Sequence, residues 1–327
     1  MGRPFTRTAQ RDNRLVPTVL VGTADALLTF DIEGGERHTE LEGHDVWAVA
    51  PASWQKLWAV VDRQEIWRSD KIGGAWKRIA SLADLTEAGL HAQCLADTRA
   101  NGADGILVGT SRAHLVRLEH DRLEPLDSFE RAPGRDRWYT PWGGPPDVRS
   151  ITEDRDAVFV NVHVGGVLRS RDGGATWQPT IDITADVHRV VTGSGRVYAA
   201  GARGLSISDD GGGDWRLSAR GLHAGYCRAV AVGGETVLLS ASDGPEGGRA
   251  ALYRTDLDAG TFERCRDGLP EWFEGNIDSL CLDALPDGSL SAFGSESGEV
   301  FISSDEGSSW SRLAEGLSGL RCVLVLP

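Results

Sequence analysis

The side chains best able to do chemistry in this chain are imidazoles, guanidiniums and carboxylates. They recur near the ends of short β-rich runs, not within one compact motif. Five of the eight histidines, His44, His91, His163, His188 and His223, take such positions. His163, His188 and His223 belong to successive repeats of the chain. Three imidazoles brought to one point would make an open site for zinc, copper or iron. The same rings would equally serve as satisfied polar groups bonded to loop backbone, or as acid–base groups, with His188 the first choice for proton transfer.

Aligning the first β-run of each repeat gives a second set, one residue into each run: Trp47, Gln93, Arg149, His188, Cys227, Asp278 and Arg321. A channel that served only as structure would carry small apolar residues there. Arg149 and Arg321 instead suit an anionic or hydroxyl-rich small molecule, because guanidinium forks match carboxylates. The other reading is an ion-pair network that fixes the repeats together. Asp147 and Asp278 are the candidate catalytic carboxylates, acting as an acid–base pair. Cys227 is either packed or, with a thiol activated by His223 or Arg228, nucleophilic. Trp138, Tyr139 and Trp142 lie in a long Pro- and Gly-rich segment from about 129 to 147. With Trp47, they are candidate ligand-stacking residues. The segment around Trp272 and Phe273 repeats that recipe. Both segments would otherwise plug the channel mouth or form a contact between identical chains. Gly211-Gly212-Gly213 does not follow the phosphate-loop pattern, and no Gly-x-Ser-x-Gly elbow opens a helix.

What must position these groups is a repeat. Ser170-x-Asp172-x-Gly174-x-Thr176-Trp177 recurs as Ser208-x-Asp210-x-Gly212-x-Asp214-Trp215 and as Ser303-x-Asp305-x-Gly307-x-Ser309-Trp310. Ser69 to Trp76 and Thr255 to Phe262 are worn copies. The first residues of the five copies are separated by 101, 38, 47 and 48 residues, so one unit before Ser170 has lost its signature. Gly permits a tight turn, Ser and Asp bond its backbone, and the aromatic closes an apolar layer. Runs such as Ala157-Val158-Phe159-Val160 and Thr236-Val237-Leu238-Leu239 read as strands. Ser81 to His91 is the only helical segment expected. Four short strands per repeat predict an all-β, seven-bladed β-propeller. Its inner strands would start near Val46, Ala92, Val148, Val187, Tyr226 and Ile277, and the seventh blade would be shared by the N- and C-terminal strands. Residues 1–16 read as a polar arm, and residues 17–327 as the single propeller.

The three good copies resemble the Asp-box, or bacterial neuraminidase repeat, of sialidases, xyloglucanases, sortilin-type receptors and photosystem II assembly-factor propellers. That resemblance implies that the boxes are structural turns on the face away from any substrate. Trp138-Tyr139-Thr140-Pro141-Trp142-Gly143-Gly144-Pro145-Pro146-Asp147 and Asn161-Val162-His163-Val164-Gly165-Gly166 also resemble bacterial sialidase-like proteins. The sialidase Phe/Tyr-Arg-Ile-Pro element is absent, so no catalytic residue is carried over. The expected function is a hydrolase or lyase, metal-assisted or not, acting on a small polar or anionic molecule. A non-catalytic assembly propeller and an intracellular glycosidase are the alternatives.

Composition narrows the partners. The net charge is −14 over 327 residues, which disfavours nucleic acid and anionic membrane surfaces. Five scattered cysteines show no Cys-x-x-Cys pair, and no run approaches the roughly 18 apolar residues of a membrane span. A cytoplasmic chain is expected, with a small-molecule ligand and room for self-association.

Overall fold

A computed structural model of the chain describes residues 17–52, 56–99, 105–182 and 184–327. The expected polar arm at 1–16 lies outside the described residues. Seven four-stranded antiparallel sheets stand around a central channel. Six run in chain order from inner to outer strand. The seventh, taken here as blade 1, pairs the C-terminal strand Leu320–Leu326 with Thr18–Thr23, register Val19 to Val325, and leaves no open edge at the seam. The inner strands of blades 2 to 7 are Val46–Pro51, Ala92–Thr98, Val148–Asp154, Val187–Gly193, Val230–Gly233 and Leu282–Ala284. Seven buried apolar clusters fill the seven interfaces between adjacent blades. This one-to-one match shows the ring to be closed.

Two expectations shift. The expected helix at Ser81–His91 is one 3₁₀ turn, Leu82–Asp84, whose first N–H groups are partly met by Ser81 Oγ accepting from Ala83 N. Buried Leu82 and Leu90 anchor this segment as a loop, and it is too short to nucleate a helix. In blades 6 and 7 the inner strands begin at Val230 and Leu282, four and five residues later than expected from Tyr226 and Ile277.

The three intact hairpin units join the third and fourth strands of blades 4, 5 and 7, on the face opposite the inner-strand starts. In each, the Ser hydroxyl donates to the Asp carboxylate and accepts from the Gly N–H four residues on, at 2.8, 2.7 and 2.9 Å. The Asp accepts from the N–H four residues beyond itself. The glycines have φ of +87°, +83° and +78°. A Cβ at Gly307 would stand 2.7 Å from Leu238 of the neighbouring blade, so the turn needs glycine for both conformation and approach. Trp177 and Trp310 then pack edge-on against Phe129 and Phe293. In blade 3, where the unit is lost, His120 and Asp121 form a two-residue turn with both φ positive, the hairpin's other standard solution.

Trp310→Ala should cost roughly 3–5 kcal/mol, read as a lower urea midpoint at unchanged slope; a loss below about 1 kcal/mol would deny the hairpin a role in holding blades together. Hydrogen bonds from Ser309 hold the Asp305 carboxyl down at about 2, and hydrogen bonds from Thr176 and Ser208 lower Asp172 and Asp210. A lowered folded-state value gives stability that is present above about pH 4 and lost as pH falls toward 2. Replacing all three with Asn should therefore lower stability at pH 7 and flatten its decline over that acid range. An unchanged acid profile would refute the assignment.

Candidate functional site

Along five of the seven inner strands the first pair is followed by a β-bulge. The register shifts across Val46/Ala48, Ala92/Cys94, Val148/Ser150 and Val187/Arg189, and across the pairing of Gly22/Thr23 with Leu320 and Cys322. The residues left over are Trp47, Gln93, Arg149, His188 and Arg321. A bulge re-aims its extra side chain. Four of the five turn to the channel mouth, and His188 turns away.

Trp47, Gln93, Arg149 and Arg321 line a cavity of about 270 Å³ together with Arg63, Asp147, Arg228, Asp278, Ser279, Leu280 and Leu320. In blade 7 the chain crosses beneath it as a turn, closed by Cys281 N donating to Asp278 O. Leu280 on this turn packs against the blade 2–blade 3 cluster and lines both this cavity and a second one below. Arg189 braces the turn from blade 5, its Nη1 donating to the carbonyls of Ser279 and Leu282. The upper cavity is therefore a cup with a floor.

Arg228 Nη1 donates to Asp278 Oδ1 at 2.7 Å, and Arg321 Nε to Asp45 Oδ1 at 3.0 Å across the seam between blades 1 and 2. Gln93 Nε2 donates to Asp147 Oδ2 at 3.1 Å. The Arg63 and Arg321 guanidiniums lie over the Trp47 ring, 4.1 and 4.9 Å from its centroid. Neither the Arg149 nor the Arg63 guanidinium has a hydrogen bond or an ion pair with any described residue. Burial pushes both below the usual arginine range; the carboxylates of Asp278 and Asp147 oppose this at Arg149, where Arg228 adds to it. Four arginines against Asp45, Asp147 and Asp278 leave a formal charge of 4 − 3 = +1.

The histidines divide. His163, in the turn after blade 4's second strand, points Nε2 at Asp186 Oδ1, 2.9 Å away. His188 Nε2 lies 3.1 Å from the same oxygen, while its Nδ1 donates to the Cys227 carbonyl at 2.7 Å. Among the described residues this is the place where three metal-ligating side chains converge. Burial lowers His163, a shift that Asp186 opposes. The three-imidazole expectation is corrected here. His223 accepts or donates at the Tyr253 hydroxyl, 2.7 Å away, and packs on Trp272, outside the cluster. Asp186 takes its place. No spacing rule singles it out, because it meets His163 only when blades 4 and 5 dock.

Other candidate residues also fall elsewhere. His188 is fully buried and does not line the cup, so its ring cannot exchange protons with a molecule held there. Trp138 is buried against Phe129 at the blade 3–blade 4 interface, because the long loop folds back onto that seam. Tyr139 is exposed, and Trp142 is exposed over the His163 ring. His44 bonds Asp62, and His91 neighbours Gln64. The spacing-based reading missed Arg63, and it named Arg228, which directly follows Cys227, only as an activator of that thiol and not as a cup residue. Cys227 is packed. Burial raises its thiol to about 12, Cys94 and Cys322 to about 12, Cys265 to about 11, and Cys281 well above its ordinary value. In the native chain an aromatic disulfide reagent should release no thiol signal, with all five cysteines reacting after denaturation. Rapid native reaction at Cys227 would restore its nucleophilic reading.

Neither a protein-family model nor a curated protein matches the chain. Its fold is similar to that of the GH74 xyloglucanase from Xanthomonas campestris, with a TM-score of 0.65 and 17% identity over 91% of this chain. The chain spans about half of that enzyme, 52% of its length. An ancestral GH74 enzyme gives 0.62 at 14% identity, with 92% of this chain and 41% of that one covered. YCF48 bound to a D1 peptide gives 0.58 at 15% identity, with 95% and 87% covered. These likenesses show the fold.

Proposed function

We propose that this chain binds a small anion carrying a carboxylate or phosphate group in the cup at the channel mouth. The observation that carries this reading is the half-buried Arg149 guanidinium, which faces a floored cavity without a hydrogen bond or ion pair to any described carboxylate in a chain of net charge −14. Leaving a partly desolvated cation unpaired has a cost, and an anion would offset it. Arg63 supplies a second unpaired fork, and Trp47 a flat wall. The cavity falls below the roughly 300–1,000 Å³ of drug-sized sites, which limits the ligand to one small molecule. The propeller is shared with xyloglucanases and with a peptide-bound protein, so fold does not choose between catalysis and binding.

A hydrolase or lyase reaction is the second reading, and Asp147 favours it. Its carboxylate lines the cup, with Gln93 as its one side-chain hydrogen-bond partner, whereas Asp278 is held by Arg228. Acid–base work on a bound ligand would fall to Asp147.

Calorimetric titration with inorganic phosphate, sulfate and citrate, against glucose as the neutral control, tests the proposal. At least one anion should bind, and Arg149→Met should weaken it by about 1.5–3 kcal/mol, or tenfold and more. Asp147→Asn should keep the binding and, under the second reading, abolish turnover of a matching ester or hydroxy acid. Equal anion affinity in Arg149→Met, or no anion binding at all, would overturn the cup as an anion site.

A further inference from the structure

We infer that His163 Nε2, Asp186 Oδ1 and His188 Nε2 form a binding site for a divalent first-row transition-metal ion, separate from the cup and independent of the anion reading. His188 carries the argument. The carbonyl of Cys227 can only accept, so Nδ1, 2.7 Å away, holds the ring hydrogen. In the neutral ring Nε2 is then a bare lone pair, and it faces a carboxylate oxygen 3.1 Å away. Two acceptors are pressed together with no hydrogen between them. A doubly protonated ring would need its Nε2–H aimed at an acceptor. The contact lacks that geometry, and both His188 Nε2 and Asp186 Oδ1 are buried atoms without a hydrogen bond. His188 has no exposed surface, so water does not relieve the conflict. A cation between the two atoms does.

The dimensions are close to those of such a site. A tetrahedral ion with ligands at about 2.1 Å needs donor atoms roughly 3.4 Å apart. Here the donors stand 2.9 and 3.1 Å apart across the carboxylate, and all three lie within 4.8 Å of one another. The carbonyl bond at the far nitrogen of His188 is the arrangement that orients ligating imidazoles. Two nitrogens and one oxygen suit zinc or ferrous iron better than magnesium or calcium, which prefer oxygen alone. His163 is braced by its backbone N donating to Asp147 O, and Trp142 covers its ring. Asp186 keeps 31% of its side-chain surface, while the Oδ1 that faces the two imidazoles is buried.

Titration of the chelator-treated full chain with Zn²⁺, and with Co²⁺ as a visible-absorbing probe, tests the site. One equivalent should bind per chain, Zn²⁺ should raise the melting temperature, and bound Co²⁺ should show intense visible bands of a four- or five-coordinate ion. Asp186→Asn, which preserves shape, should weaken binding about 100-fold, and His163→Gln should do the same. His223→Gln should leave affinity unchanged. No stoichiometric binding, equal affinity in Asp186→Asn while that variant melts as a folded protein, or loss of binding in His223→Gln would each overturn the assignment.

Discussion

The chemistry of this ring depends on one backbone irregularity repeated at the same place in five blades. Without the extra residue after its first pair, each inner strand would keep strict alternation. The side chain at its second position would then be set by the pleat. The bulge frees that side chain. In blades 2, 3, 4 and 1 it becomes Trp47, Gln93, Arg149 and Arg321 around the mouth. Further down, Val49, Leu95 and Ile151 line the lower cavity together with Asp97, Glu153, Arg189 and Asp283.

Arginine is the residue this mouth requires. The chain has 34 basic residues and only three lysines, Lys56, Lys71 and Lys77. A guanidinium tolerates weak hydration, lies flat on Trp47 and still presents a fork of donors. An ammonium would do none of these well. Compensation is uneven: Asp278 and Asp45 each hold one arginine in place, while Arg149 and Arg63 are left facing the void. The paired arginines set the walls, and the unpaired ones give the cup its sign.

Much of this architecture was legible because it is local. The Ser-Asp-Gly-Trp hairpins, the strand runs between them and the aligned second positions are features of short segments, and the ring repeats them. What resisted reading arises between segments. Asp186 has no motif and meets His163 only across a blade interface. His223 looked equivalent in linear order but is claimed by Tyr253 and Trp272. Trp138 sits in a loop rich in turn residues, yet it turns inward because Phe129 and Trp177 offer an apolar seam. The crossing turn at Asp278–Cys281 displaces the start of a strand, and nothing in its composition announces it.

The seam between the two chain ends has a consequence for how the protein is made. Arg321 lies in the strand that completes blade 1, and its carboxylate partner, Asp45, belongs to the second blade translated. The mouth therefore cannot acquire its full set of groups until the strand that carries Arg321 has been made. Partial products would carry six sheets and an incomplete rim. Whatever occupies the cup would in this way distinguish finished rings from unfinished ones, and by mass action would favour the joined state over one with its last strand detached.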